Sequence, residues 1–358
     1  TLTSRLLHAP GEEDGAGETF AAVLDSIAQA QHSIAMHMYV WRSDEIGNKM
    51  GKALLAAAER GVKIRIIKDL GAMMFERIEM NRKSYLPREP SRGNRLWWRA
   101  IRPTFPKTFV EDDFENGAGR ALAEHSSVEV TWAEGTHTHT KYYLFDDRKL
   151  ITGSINIEDR HRGYFDYMVS VEGEGLGEHF RARESGTVAP DFNRDLEFVF
   201  NQTMGGENRF EIKPLLLDLI NEATKEIFIE VAYIGDPDVD DAIAAAADRG
   251  VEVNMLFSKK ANIGNDINYR TAEKLYHRAP VNIFLTPKMI HSKMLAFDRK
   301  VVLSGSANLS IFSMRNSAEL NLLVREPRLV ADFLAVGDAR REASTLVEDA
   351  GTLANYNH

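Results

Sequence analysis

Hydrophobic positions along this chain switch between two periods, and the switch is written twice. In residues 18–41, Phe20, Val23, Leu24 and Ile27 recur at helical spacing and then give way to a strand-like run from Ser33 to Val40. Residues 212–235 repeat that order, with Leu215, Leu216, Leu219 and Ile220 ahead of a run from Glu226 to Tyr233. A second helix-like stretch follows in each half, Met50 to Arg60 and Asp241 to Arg249. Each is closed by Gly-Val and a β-rich run, Val62 to Ile67 and Val251 to Phe257. Gly61 and Gly250 read as helix C-caps, because glycine takes positive φ without a steric penalty. Helices alternating with strands predict parallel β-α-β units with covered sheets, an α/β fold. At 358 residues the chain exceeds the usual domain of about 100–200 residues, so two domains are expected, 1–200 and 201–358.

The repeat also carries polar residues. The pattern His-x-Lys-x4-Asp occurs at His139, Lys141 and Asp146 and again at His291, Lys293 and Asp298, offset by 152 residues. Each copy leads into Gly-Ser-x-Asn, at Gly153, Ser154 and Asn156 and at Gly305, Ser306 and Asn308. Gly61 and Gly250 are instead 189 apart, so the first half carries 37 extra residues, an insertion at about 72–120. That insertion is rich in Arg77, Arg82, Lys83, Arg88, Arg92, Arg95, Arg99, Arg102 and Lys107, against Glu79 and Glu89, with Trp97, Trp98 and Phe105 interleaved. Such a segment suits a phosphate-bearing substrate or a headgroup surface, or else forms an ordinary excursion packed on the domain.

Composition narrows the classes. The net charge of -9 argues against general nucleic-acid affinity, which needs a basic footprint to displace counterions. Cysteine is absent, which removes disulfides, thiolate metal sites and cysteine nucleophiles together. No apolar run reaches the roughly 18 residues of a membrane span, so a soluble or peripheral-membrane protein is expected, with a secreted form open. The chain begins at Thr1 rather than Met, compatible with removal of a leader or anchor.

On a strand, His139 and Lys141 project from one face, as do His291 and Lys293, because side chains alternate with period two. Brought together, the halves would set two imidazoles and two ammonium groups around one small volume. That grouping suits phosphodiester chemistry: one neutral imidazole attacks phosphorus, the other supplies a proton to the leaving alkoxide, and the lysines stabilise developing charge. Ser154, Asn156, Ser306 and Asn308 are candidate donors to non-bridging oxygens, and neither a metal nor another cofactor is required. A nucleophilic histidine needs a fixed tautomer, so Asp166, 27 residues after His139, and Glu319, 28 after His291, are candidate orienting carboxylates. Asp146 and Asp298 complete the motif, with a turn-bracing role preferred over direct chemistry. His137 reads as a rim residue rather than half of a metal pair. Tyr39, Trp41, Asp44 and Tyr233 sit at strand ends and read as core more readily than pocket, and Arg315 and Asn316 precede Glu319 closely enough to help hold it.

These residues resemble the phospholipase D superfamily, whose signature is the duplicated His-x-Lys-x4-Asp with Gly-Ser-x-Asn following. Segments such as 35–45, 153–157 and 305–309 look most like its bacterial cardiolipin synthase branch. The resemblance implies two pseudo-symmetric α-β-α domains with mixed, largely parallel sheets and one active site at their interface. It further implies a ping-pong reaction through a covalent phosphohistidine, with His139 the nucleophile and His291 the general acid, the reverse assignment staying open. The implied partners are a phospholipid and an alcohol or water acceptor at a membrane surface. The transmembrane anchors of many cardiolipin synthases are missing, and the arginine-rich insertion lies outside the motif framework. A metal-independent nuclease of the same superfamily is the alternative, and a non-catalytic lipid-binding scaffold is disfavoured because all four motif histidines and lysines are present.

Overall fold

A computed structural model describes residues 2–8, 16–78, 84–86, 88, 91–101, 116–133, 137–204, 206–262 and 265–354. The first half contributes strands β1 (Thr3–Leu7), β2 (Ser33–Met38), β3 (Lys63–Asp69), β4 (Val128–Ala133), β5 (His137–Thr138), β6 (Tyr142–Phe145), β7 (Lys149–Gly153) and β8 (Met168–Glu172). The second contributes β9 (Leu196–Met204), β10 (Glu207–Phe210), β11 (Glu226–Glu230), β12 (Glu252–Ser258), β13 (Val281–Thr286), β14 (Met294–Phe297), β15 (Val301–Gly305), β16 (Ser317–Val324) and β17 (Thr345–Leu346). One sheet runs β1-β8-β7-β6-β2-β3-β4, the other β10-β9-β16-β15-β14-β11-β12-β13-β17.

The predicted β-α-β units are present, but they account for only part of each sheet. The trios β2-β3-β4 and β11-β12-β13 are parallel. Helices Glu45–Glu59, Pro237–Asp248 and Asn265–Arg278 lie in their crossovers. Apart from the short parallel pairing of β5 with β16, every other pairing in the two sheets is antiparallel, so the expectation of largely parallel sheets is corrected. The reason lies in the motif: β6-β7 and β14-β15 are joined by tight turns, which can connect antiparallel neighbours only. In both turns the two central residues have positive φ, Asp146 (48°) with Asp147 (56°) and Asp298 (50°) with Arg299 (57°). The turns close through Arg148 N–H to Phe145 O (2.9 Å) and Lys300 N–H to Phe297 O (3.0 Å), the geometry of a type I′ hairpin.

Three apolar clusters fix the layers. Helices Gly17–Gln29 and Glu45–Glu59 cover one face of the first sheet through Phe20, Val23, Ile46, Met50 and Leu54. Helices Ile212–Glu222 and Pro237–Asp248 do the same for the second through Leu216, Ile220, Val239 and Ile243. The third cluster joins the halves: Leu144, Val169 and Val171 of one sheet share a core with Phe228, Ala296, Leu320 and Leu322 of the other. Phe180 and Phe333, from helices Leu176–Ser185 and Pro327–Glu342, complete it. The expected division at 200/201 falls inside β9, which pairs with β16 of the second sheet. The change of sheet along the chain therefore lies between Ser185 and Leu196.

Within 72–120 the described helices are Ala72–Ile78, Arg92–Ile101 and Gly117–Ala123. Glu79, Arg82, Lys83, Glu89, Arg102, Phe105 and Lys107 lie outside the described residues, as do the side chains of Arg77, Arg95, Trp97 and Trp98. Of the remaining basic residues, Arg88 sits 5.4 Å over the Trp132 ring. Among the described residues no helix is long and apolar enough to cross a membrane.

Candidate active site

The two motif histidines meet because each half pairs its histidine strand with the other half's carboxylate strand. Residues His137 and Thr138 run parallel to Ser317 and Ala318, and Phe165 bridges Ile290. His139 N–H donates to Ala318 O (2.8 Å), and His291 N–H donates to Phe165 O (2.9 Å). Ala318 and Phe165 immediately precede Glu319 and Asp166, so this backbone pairing delivers each carboxylate to the opposite half's imidazole. His139 Nδ1 lies 3.1 Å from Glu319 Oε2, and His291 Nδ1 lies 2.9 Å from Asp166 Oδ2. With Nδ1 engaged on both rings, Nε2 is the nitrogen available to a ligand.

The Gly-Ser step explains itself in the same geometry. A Cβ at Gly305 would stand 2.3 Å from Leu320 O and 2.5 Å from Asn321 Cα, so only glycine lets the carboxylate strand approach this closely. The next residue then reaches the carboxylate: Ser306 Oγ donates to Glu319 Oε2 (2.5 Å) and Ser154 Oγ donates to Asp166 Oδ1. The serine hydroxyls, read from sequence as substrate donors, are thus directed to the orienting carboxylates. Asn156 and Asn308 do line the cleft. Asn156 Oδ1 accepts from Val40 N–H (3.2 Å), whereas Asn308 Oδ1 has no hydrogen-bond partner among the described residues.

Lys141 and Lys293 are 0% and 1% exposed and lie beneath the cleft. Lys141 Nζ donates to His139 O (2.6 Å) and Lys293 Nζ to His291 O, each ammonium holding its own motif's backbone. Burial, and for Lys141 the facing Lys293, lower their pKa to about 7 and about 8. Burial and Lys141 outweigh Glu319 and bring His139 down to about 4. Burial, Lys293 and His161 push His291 well below its ordinary value despite Asp166. Burial would raise both carboxylates, yet the His139 imidazole and Lys141 hold Glu319 down at about 2, and His291 with His161 holds Asp166 well below the usual range. The site therefore combines two ionised carboxylates, two neutral imidazoles and two lysines that titrate near neutral pH.

Asp146 and Asp298, grouped with the catalytic set by the motif, are not in the cleft. They sit at the far ends of β6 and β14 from the lysines. Asp146 accepts the N–H groups of Gln31, His32 and Ser33 at 2.7–2.8 Å, and Asp298 accepts those of Thr224, Lys225 and Glu226. Each pins the start of a central parallel strand, which is the bracing role, and the catalytic placement is corrected. Tyr39 and Tyr233 line the cleft rather than filling core, with the Tyr39 ring 4.8 Å from that of His139. Trp41 is buried core stacked on Tyr85, and Asp44 caps helix Glu45–Glu59 through Gly47 N–H. His137 lines the cleft, its Nδ1 2.7 Å from Ser317 Oγ. Arg315 turns to Asp236 and Asp238 instead of the site, and Asn316 N–H closes a turn on Phe312 O.

The cleft holds about 450 Å³, its walls including Val40, Phe75, Ile234, Ile267 and Phe312 around the two histidines. Ile267 and Phe312 stay 55% and 48% exposed, giving it an apolar mouth. Sequence reasoning passed over His161, buried against Asp166, and Glu158 behind it, because neither residue type recurs at the repeat position. Among the described residues, His161, Asp166 and His291 bring possible metal-ligand atoms within 4.8 Å of one another. Both imidazole Nδ1 atoms already lie 2.9 Å from Asp166 Oδ2, so an ion there would have to displace two hydrogen bonds.

The chain is similar to known proteins. Cardiolipin synthase 2 of Bacillus anthracis is 26% identical over 352 residues, covering 88% of this chain and 62% of its own length. The cardiolipin synthase of Alkalihalophilus pseudofirmus is 23% identical over 354 residues, covering 88% of this chain and 63% of its own. The chain thus spans less than two thirds of the length of these curated relatives. The crystal structure of phosphatidylserine synthase from Haemophilus influenzae superposes with a TM-score of 0.67 at 15% identity, over 97% of this chain and 88% of that one, which establishes a shared fold. The sequence profile described as "Cardiolipin synthase, PLD-like domain" matches residues 23–183 and 216–336, so that each matched segment carries one His-x-Lys half-site. On that match over most of its length, the chain belongs to the cardiolipin synthase, PLD-like domain family.

Proposed function

We propose that this chain is a phospholipase D-type phosphodiesterase and phosphatidyltransferase that acts on glycerophospholipids through a covalent phosphohistidine. The observation that carries the reading is the crossed pair of Nδ1-to-carboxylate hydrogen bonds, which leaves two Nε2 atoms for one ligand in a cleft with an apolar mouth. His139 Nε2 attacks phosphorus, the bond from phosphorus to the leaving alcohol oxygen breaks, and His291, which takes up a proton at Nε2 when the anionic ester binds beside it, gives that proton to the leaving oxygen. An acceptor alcohol or water then gives its proton to His291 as its oxygen attacks phosphorus, and the phosphorus–nitrogen bond breaks. Lys141 and Lys293 stabilise charge on the non-bridging oxygens across short distances in a water-poor site. Ile267, Phe312 and Phe75 suit acyl chains drawn from a lipid surface, so a peripheral membrane partner accompanies the reading. The cardiolipin synthase relatives favour a phosphatidyl acceptor bearing a free primary hydroxyl. The nuclease alternative has less support, since Arg160 is the one lysine or arginine among the described residues lining the cleft.

The test is mass spectrometry of products from vesicles of mixed phospholipids including phosphatidylglycerol, with and without added glycerol, using His139→Ala and His291→Ala as blanks. Headgroup release or transfer that both variants abolish, with an acid-labile phosphoryl adduct on His139, is the expected result. Turnover near wild type in either variant refutes the two-histidine mechanism, and DNA cleavage in EDTA without lipid turnover would select the nuclease.

A further inference from the structure

The two half-sites are not electrostatic copies, and the difference lies behind Asp166. His161 is 1% exposed, with Nδ1 2.9 Å from Asp166 Oδ2 and Nε2 3.0 Å from Glu158 Oε1. Glu158, itself fully buried, is held by Arg42 Nε at 2.5 Å and Arg160 Nε at 2.9 Å. The ring is thus clamped between the two buried carboxylates, with Asn156 Nδ2 also 3.4 Å from its Nε2. Its centroid is 4.4 Å from that of His291 at an interplanar angle of 88°. In the second half the positions 152 residues on are Ser310 and Ser313, neither of which reaches a motif carboxylate. Ser310 accepts from Ser313 N–H and caps the helix Ile311–Arg315.

The consequence falls on how strongly each carboxylate pulls on its catalytic imidazole. Asp166 is saturated: Oδ2 takes both His291 and His161, and Oδ1 takes Ser154 and Tyr167 N–H (3.0 Å). Glu319 receives His139 and Ser306 on Oε2, while its buried Oε1 has no hydrogen-bond partner among the described residues. A carboxylate with an idle oxygen is the stronger base and enriches the imidazole it holds, which favours a nucleophile. A saturated carboxylate is the weaker base and lets its imidazole release a proton more readily, which favours a general acid.

We propose that His161 is a positioning residue which, held by Glu158, acts through Asp166 to make His291 the more acidic imidazole of the pair and so commits it to proton transfer. The substrate class rests on the phosphodiesterase reading above, but the effect on His291 does not require it. The dyad acts on the leaving-group side of the reaction and leaves the attack by His139 largely alone.

Two measurements separate this from a packing role. In protein labelled with 15N-histidine, NMR titration follows His291 without any substrate. His161→Gln removes the ring that occupies Asp166 Oδ2, which frees that oxygen for His291 and moves the His291 midpoint upward, by roughly a unit. Glu158→Gln keeps the ring but weakens the partner that holds it against Asp166, and moves the midpoint the same way by less. In kinetics, His161→Gln lowers turnover of a phosphatidyl ester of an alkyl alcohol by about tenfold, because an alkoxide needs the proton. Turnover of the phosphatidyl p-nitrophenyl ester falls by at most about threefold, because nitrophenolate leaves without one. A His291 midpoint unmoved in folded variants, or equal losses on both esters, overturns the proposal. A shifted midpoint in a protein that turns over neither ester leaves the proposal standing and refutes the phosphodiesterase reading instead.

Discussion

Anion binding to this cleft should take up protons near neutral pH, and the amount follows from the buried lysines. Burial, and for Lys141 the repulsion of the facing Lys293, leaves Lys141 at about 7 and Lys293 at about 8. At pH 7.5 the first is about one-quarter charged and the second about three-quarters charged. An anion placed over the imidazoles restores both toward the ordinary lysine value near 10.4, so binding draws in about one proton from the two lysines. Sulfate is the suitable probe because its own charge is constant in this range. Isothermal titration calorimetry at pH 7.5 in PIPES, HEPES and Tris reads the number directly, as the slope of binding enthalpy against buffer ionisation enthalpy. Lys141→Met removes the larger share, so its slope falls by about three-quarters of a proton relative to wild type. Affinity must also fall as pH rises from 7 to 9, since the charged lysines that the anion prefers become scarcer. A wild-type slope of zero, or equal slopes in the two proteins, would mean that the lysines are already fully charged and the reasoning is wrong.

Two further outcomes follow from groups outside the cleft. Asp146→Ala and Asp298→Ala each orphan three strand N–H groups at a partly exposed edge, costing about 1–2 kcal/mol after allowance for solvent, with turnover per folded molecule unchanged. Calorimetric melting beside a turnover assay checks this, and a loss of activity without a loss of stability would return these aspartates to the catalytic set. Asp240 is 6% exposed in helix Pro237–Asp248 with Oδ1 unpartnered among the described residues, and burial lifts its carboxyl to about 7. Because the folded value exceeds the unfolded one, its stabilising contribution is complete below pH 4 and lost as pH rises through 7. Asp240→Asn should therefore raise the melting temperature more at pH 8 than at pH 5, and an equal shift at both would exclude titration as the cause.

Much of this protein is decided locally and is readable as sequence. The helix-to-strand switch, the capping glycines and the His-x-Lys alternation depend on neighbours within a few residues, so the first two strands of each β-α-β trio and the four motif side chains were expected where they occur. The proportion of antiparallel pairing was misjudged because the β-α-β alternation was extended to whole sheets, although the tight turns at Asp146 and Asp298 can join antiparallel neighbours only.

The crossed pairing could not be read in advance. Asp166 and Glu319 follow their own histidines at nearly equal spacing, which leaves open which imidazole each serves. The choice is made by backbone hydrogen bonds between halves, Ala318 to His139 and Phe165 to His291, and these exist only once the two sheets share a core. The Glu158-His161 dyad was hidden for a related reason. A repeat in sequence exposes what the halves have in common, whereas the asymmetry that separates their two histidines is a matter of what each carboxylate touches in the folded chain.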